Sequence, residues 1–253
     1  MSLSQKQALV GRIETQALLG ERLLVTGVHN GWLHVVAVAQ PTHRDSRGYP
    51  GWVPRRQVTT HPPTTTPYVA TVTTRLAQLR SVANGRSIWV SVATRLPVIA
   101  TRGTTTVVAT PTGTRRAISD TSIVVRPRGQ RPLPLTRSSV LASARRFLGT
   151  PYIWGGRSGW AVDCSGYTNL VYGLHGVRLP RDADDQALRG VPVTIGTQRR
   201  SDLLFFRDGS TIGHVGFYVG HGTLLHAPHT GTTVSTIPLT TIAGLAAVRR
   251  FVH

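Results

Sequence analysis

The sequence predicts an α+β domain in the C-terminal part of the chain, preceded by two small all-β modules. Three observations carry this. Two proline-studded segments, "HPPTTTP" at 61–67 and "RPRGQRPLPL" at 126–135, divide the 253 residues, and such stretches break helices and central strands. Ahead of and between them, short apolar runs alternate with turns and no helical period is sustained. After the second, apolar residues recur first at helical spacing and then in strand-like runs, the order of an α+β domain. The expected boundaries are 1–62 and 66–128 for the β modules and 136–253 for the third domain.

Each element has a local reason. In "RLLVTGVHNGWLHVVAV" (22–38), runs of Val, Leu and Trp flank His29-Asn30-Gly31, the pattern of a strand, tight turn and strand. "SIWVSVA", "LPVIATR", "TTVVAT" and "SIVV" repeat short apolar runs between turns and build the second module. From Ser138, "SSVLASARRFLG" sets Val140, Leu141, Ala144, Phe147 and Leu148 at helical spacing, with serines to cap and Gly149 to stop. A second helix is predicted from about Cys164 to Gly176, and "ADDQAL" makes a short third. "DLLFF", "HVGFYVG", "TLLHA", "TVSTI" and "LAAVRRFV" then read as strands of an antiparallel sheet.

Charge is lopsided. There are 29 basic and 10 acidic residues, and every basic residue except Lys6 is arginine. Residues 1–136 carry 17 basic and 4 acidic side chains, and residues 137–253 carry 12 and 6. Such a field favours anionic partners. Nucleic acid is not expected, because no basic stripe interleaved with aromatics and no helix-turn-helix pattern occurs. No apolar run approaches a membrane span. The N-terminus lacks the basic and apolar regions of a secretory leader. That predicts a cytoplasmic protein if the chain is complete as given, and an envelope or secreted one if a leader precedes it. One cysteine supports no internal disulfide; oligomeric state is not legible.

That cysteine, Cys164 in "VDCSGYTNL", falls at the predicted start of a helix. Backbone N–H groups and the positive dipole end there lower a thiol pKa and favour the nucleophilic thiolate. Asp163 and Ser165 are candidate caps, and Gly166 leaves one side uncrowded for an approaching carbonyl. A lone buried cysteine is otherwise an inert small hydrophobe.

A thiol nucleophile needs a base and an orienter. In "GHVGFYVGHGTLLHAPH", alternation puts His214, Gly216 and Tyr218 on one strand face and Val215, Phe217 and Val219 on the other. A hairpin centred on Gly220 sets His214 opposite His226; a two-residue turn at His221-Gly222 sets it opposite His229. Periodicity leaves the choice open. Zinc on His214, His221, His226 and His229 is the competing chemistry, but no H-E-x-x-H spacing and no nearby acidic ligand accompany them. No metal and no cofactor is expected.

"TPYIWGGRSGWAVDCSGYTNLVY", "LPRDADDQ" and "GHVGFYVGHGTLLHA" resemble, in order and spacing, the NlpC/P60 family of papain-like cysteine peptidases that cut bacterial cell-wall peptides. The resemblance covers 138–253 and implies a papain-like fold. It also implies Cys164 as nucleophile, His214 as general base and then acid, and His226 as orienter. Tyr152 is implied as an oxyanion-hole partner of the Cys164 N–H, and Trp154 as a substrate contact. "TQALLGERLLVTGVHNGWLHVVA" with "GYPGWVP" resembles a bacterial SH3-like domain, and 68–125 a more divergent copy.

That domain order is similar to γ-D-glutamyl-L-diamino acid endopeptidases of muropeptide recycling. The resemblance implies a groove closed at the end that takes a free N-terminal L-Ala, by Tyr49, Ser165 and Asp182. It further implies peptidoglycan stem peptides as partners and L-Ala-γ-D-Glu as product. Family members often carry Ser where this chain has Ala183. Arg181 is either a contact for the substrate carboxylate or a structural partner of Asp163. The alternative function is an endopeptidase or amidase on intact wall, with the SH3-like domains as anchors.

Overall fold

A computed structural model describes residues 1–252. By contacts they form two compact units, one of residues 1–16 with 134–252 and one of residues 17–133. The chain opens with a short helix, α1 (Leu3–Gln7), capped by Ser2 and Gln5. Strands β1 (Leu23–His29), β2 (Trp32–Ala37) and β3 (Tyr49–Pro54) make a three-stranded antiparallel sheet. Its first turn is the predicted one: Asn30 and Gly31 both take positive φ, at 44° and 77°, as a tight hairpin turn requires.

Next come β4 (Tyr68–Val72), β5 (Leu76–Ser81), β6 (Ser87–Ser91), β7 (Arg95–Arg102), β8 (Thr105–Ala109), β9 (Arg115–Ser119) and β10 (Ile123–Pro127). They form a seven-stranded sheet in the order β10-β4-β7-β8-β9-β5-β6. Its core holds Val72, Leu79, Val90, Leu96, Val108 and Ile118. The strands β4, β5 and β9 escape the sequence reading; β5 does alternate, with Ala77 and Leu79 buried and Gln78 and Arg80 exposed, but its apolar run is too short to stand out, and β9 has one buried apolar residue, Ile118.

The C-terminal unit carries α2 (Arg137–Arg145), α3 (Cys164–Leu174) and α4 (Ala183–Ala187). Thr136, not a serine, caps α2, its Oγ1 accepting from the Ser139 N–H at 3.2 Å. Then β11 (Val191–Pro192), β12 (Leu203–Asp208), β13 (Thr211–Gly220), β14 (Thr223–His226), β15 (Ser235–Pro238) and β16 (Leu245–Arg250) build a sheet ordered β11-β16-β12-β13-β14-β15. Every pair in it is antiparallel. Phe217 on β13 stacks on Tyr172 of α3 and meets the edge of Tyr167, so α3 is anchored on the strand that carries His214. Both tyrosines are fully buried. Their hydroxyls donate to the carbonyls of Ala144 and Ser201, at 2.8 and 2.6 Å.

The first sixteen residues depart from the expected boundary of 1–62, because they bond to the C-terminal unit. Gln16 Oε1 accepts from the Arg157 N–H at 2.9 Å, and Thr15 Oγ1 accepts from Arg181 Nε at 2.8 Å. No helix among the described residues is long and apolar enough to cross a membrane.

Candidate active site

Cys164 is the first residue of α3. Asp163 ahead of it is extended, and its Oδ1 accepts from the Gly166 N–H at 2.6 Å. The cap leaves the thiol beside the positive end of the helix. Ser165 does not cap; its Oγ donates to Asp163 Oδ1 at 3.4 Å and accepts from Arg181 Nη1 at 2.9 Å. Gly166 serves packing rather than access, since a Cβ there would collide with the Gly156 carbonyl oxygen.

The thiol is 7% exposed, and Sγ lies 4.0 Å from the carbonyl oxygen of Gly213, the residue before His214. Its acidity departs from the sequence expectation. Burial, helped by the Asp163 charge, pushes the Cys164 thiol up to about 12, against opposing help from the Val215 N–H, Arg181 and the Ser165 N–H. Desolvation of the anion outweighs the helix end. Burial followed by the neighbouring His226 and His229 lowers His214 to about 3. Burial followed by His229 lowers His226 to about 4. Thiol and imidazole are therefore both neutral near neutral pH.

The two imidazoles meet by a route that neither register drawn from sequence describes. The hairpin turn is His221-Gly222, both at positive φ, yet His226 faces Gly216. Val219 bulges out of the ladder between Tyr218 and Gly220, shifting the register by one residue. In a strict ladder from that turn His226 would pair with Phe217 on the apolar face; the bulge turns it to the face of His214. His226 is then diagonal to His214, with His214 Nε2 2.8 Å from His226 Nδ1. Gly216 makes room: a Cβ there would lie 2.9 Å from the His226 Cβ and 2.7 Å from Leu224 Cδ1. With Nε2 engaged by His226, Nδ1 is the nitrogen of His214 available to a thiol. That needs His214 to donate its Nε2–H to His226 Nδ1.

Tyr152 is buried, bridged to Val162 and bonded through its N–H to the Thr232 carbonyl. Burial, then the charges of Cys164 and Asp163, hold its hydroxyl well above the usual phenol range, so it stays a donor near the thiol. Trp154, two residues on, is 43% exposed. Asp182 is the residue before α4 and makes no cap bond to it. Tyr49 belongs to the other unit, on β3, with the Arg44 guanidinium 5.2 Å above its ring. His221 is exposed in the hairpin turn, and His229 bonds through Nδ1 to the Thr230 carbonyl.

Behind the thiol lies a polar layer that the sequence left undecided or unseen. Arg181, 1% exposed, grips Asp163 with both ends of its fork, Nη2 to Oδ2 at 2.6 Å and Nη1 to Oδ1 at 3.2 Å. It is the partner of Asp163. Arg157 donates from Nε to Asn169 Oδ1 of α3 at 2.7 Å. Gln186 accepts from Thr168 and donates to the Ser165 carbonyl. Arg157, Asn169 and Gln186 offered no signal in sequence beyond being polar in apolar surroundings. The carboxylates of Asp182, Asp184 and Asp185 lie within 4.8 Å of one another, and among the described residues no histidine joins such a group.

The α+β fold, with a helix-borne thiol beside a histidine pair on an antiparallel sheet, defines the class of the molecule as a cysteine peptidase. Comparison with known proteins gives the family. The NlpC/P60 family profile matches residues 149–244. The chain is 34% identical to a gamma-D-glutamyl-L-lysine dipeptidyl-peptidase of Bacillus cereus, over 99% of this chain and 79% of that one. It is 37% identical to the enzyme of the same name from Bacillus subtilis, over 94% and 81%. A crystal structure of an NlpC/P60 family protein from Bacillus cereus superposes with a TM-score of 0.94 at 32% identity, covering 100% of this chain and 87% of that one. The protein belongs to the NlpC/P60 family.

Proposed function

We propose that this peptidase hydrolyses the γ-D-glutamyl–diamino acid bond of peptidoglycan-derived peptides that begin with a free L-Ala, releasing L-Ala-γ-D-Glu. The observation that carries the reading is likeness along nearly the whole chain, β units included, to two enzymes named for cleavage after γ-D-glutamate as dipeptidyl-peptidases. Residues 17–62 and 66–128 are read as SH3-like modules, consistent with their all-β sheets.

In this mechanism the Cys164 proton passes to His214 Nδ1 as sulfur bonds to the γ-carbonyl carbon of D-Glu. His226 Nδ1, accepting from His214 Nε2–H, steadies the imidazolium. The Cys164 N–H and the Tyr152 hydroxyl donate to the oxyanion. Collapse breaks the C–N bond as His214 protonates the leaving amine. Water, deprotonated by His214, then attacks the thioester and returns the thiol. Asp182 and Ser165 receive the substrate's N-terminal ammonium, and Trp154 flanks the peptide.

Mass spectrometry of L-Ala-γ-D-Glu-L-Lys digests tests this. The free-amine peptide should release the dipeptide, Cys164→Ala should abolish release, and the N-acetylated peptide should be cut at least roughly tenfold more slowly, the worth of a hydrogen bond to a charged group. Equal cleavage of the free and acetylated peptides, with cleavage of cross-linked wall, would replace the reading with that of an intact-wall endopeptidase.

A further inference from the structure

The nucleophile's supporting layer is completed from the far end of the chain. Consecutive residues Thr15 and Gln16 reach two buried arginines, and each arginine holds α3 at a different point. The end-on fork of Arg181 on Asp163 leaves Nε–H directed away from the carboxylate, and Thr15 Oγ1 accepts it at 2.8 Å. Arg157 holds Asn169 with Nε. Its backbone N–H and Nη1 are met by Gln16 Oε1 at 2.9 Å and the Gln16 carbonyl at 3.3 Å. Backbone packing agrees: a Cβ on Gly155 would collide with the Ile13 carbonyl, and one on Gly231 would lie 2.9 Å from Leu3 Cδ1. Residues 3–16 are thus a strap laid along the catalytic unit from the Gly231 loop to the base of α3.

We infer that Thr15 is a positioning residue for the nucleophile, its hydroxyl fixing the plane of the Arg181 guanidinium and, through it, the Asp163 carboxylate and Ser165 hydroxyl that flank Cys164. The inference rests on Cys164 being the nucleophile, as proposed above. A guanidinium buried to 1% exposure cannot turn to water for a replacement acceptor. Without Thr15 the Nε–H is satisfied only if Arg181 swings, and swinging breaks the fork on Asp163. Asp163 and Arg181 are the charged groups that act on the thiol, Tyr152 is the titratable group that feels its charge, and His214 follows Gly213, whose carbonyl Sγ meets. Of these Arg181 favours the thiolate and Asp163 opposes it. Loosening Arg181 from Asp163 therefore raises the thiol pKa.

The test reads the thiol itself and needs no substrate. Cys164 is the only cysteine, so iodoacetamide uptake by the full chain, followed by mass spectrometry from pH 6 to 10, reports one site. Thr15→Val keeps the shape and removes the acceptor. It should slow alkylation roughly three- to tenfold at each pH of the series, displacing the rising limb of the rate profile to higher pH, with kcat/KM on the tripeptide falling in step. Thr15→Ser should restore both. A wild-type rate profile in Thr15→Val would overturn the inference, whatever its melting temperature, and so would equal loss in Thr15→Ser. If Thr15→Val does not fold, Thr15→Ala carries the same expectation and the same refuting result. If the alkylation pattern holds but wild-type enzyme releases no L-Ala-γ-D-Glu, the substrate proposed above is wrong and the positioning role stands.

Discussion

Replacing Asp163 by Asn isolates the charge that holds the start of α3. Asparagine keeps one oxygen for the Gly166 N–H, so the cap, worth about 1 kcal/mol, is retained. The other oxygen becomes an NH2 facing the N–H groups of Arg181. The side chains of the pair are 10% and 1% exposed, with contacts of 2.6 and 3.2 Å. Solvent therefore cannot replace the lost acceptor. Breaking such a pair from one side costs about 3–5 kcal/mol, because it leaves a buried charge uncompensated. Against a total of roughly 5–15 kcal/mol for a folded domain, that is a large share. The assay is urea unfolding of the full chain, followed by protection of Cys164 from alkylation so that the transition of the C-terminal unit is read alone. Arg181→Met should cost a similar amount. The double variant should lose at least about 2 kcal/mol less than the two singles together, because the charge and its partner leave together. Losses below about 1 kcal/mol for each single variant, or strict additivity, would show that the pair is solvated in solution and that the helix start does not depend on it.

Gly216→Ala places a methyl 2.9 Å from the His226 Cβ; kcat/KM should fall about tenfold or more while urea stability drops by only about 1–3 kcal/mol, and unchanged activity would mean His226 is not held by this contact. His226→Ala should cost far more activity than His229→Ala; equal losses would reassign the orienter. Burial holds His214 at about 3 and His226 at about 4, so from about pH 6.5 downward the unfolded chain binds more protons than the folded one. Stability is full above that range and is lost as pH falls, at up to about 1.4 kcal/mol per pH unit for each histidine. A urea midpoint that is level from pH 7 to 5, or whose slope is unchanged in His214→Gln/His226→Gln, would contradict the buried neutral pair.

Much of the site was legible because its parts carry strong local signals. The start of α3 at Cys164 follows from Asp163 ahead of an apolar helical run, and β13 from the alternation over residues 214–219. Register was not legible. The bulge at Val219 is a backbone event with no marker in "FYVGHG", and it decides which face His226 takes. The thiol's acidity was misjudged for a related reason: position at a helix end is readable in sequence, whereas burial depends on the fold around it. The strap was invisible because Thr15 and Gln16 are ordinary polar residues without periodicity, lying 166 and 141 residues from their partners.

Those separations have a consequence for how the enzyme comes into being. During synthesis the strap leaves the ribosome before its arginine partners, by about seven to thirty seconds at bacterial rates of roughly 5–20 residues per second. Residues 17–133 lie wholly within that interval and have every strand partner in hand. A nascent chain arrested before residue 181 would therefore carry the finished β sheets of residues 17–133 and a waiting strap, but no completed layer behind Cys164. The polar layer behind Cys164 closes only when Thr15 and Gln16 have met Arg181 and Arg157.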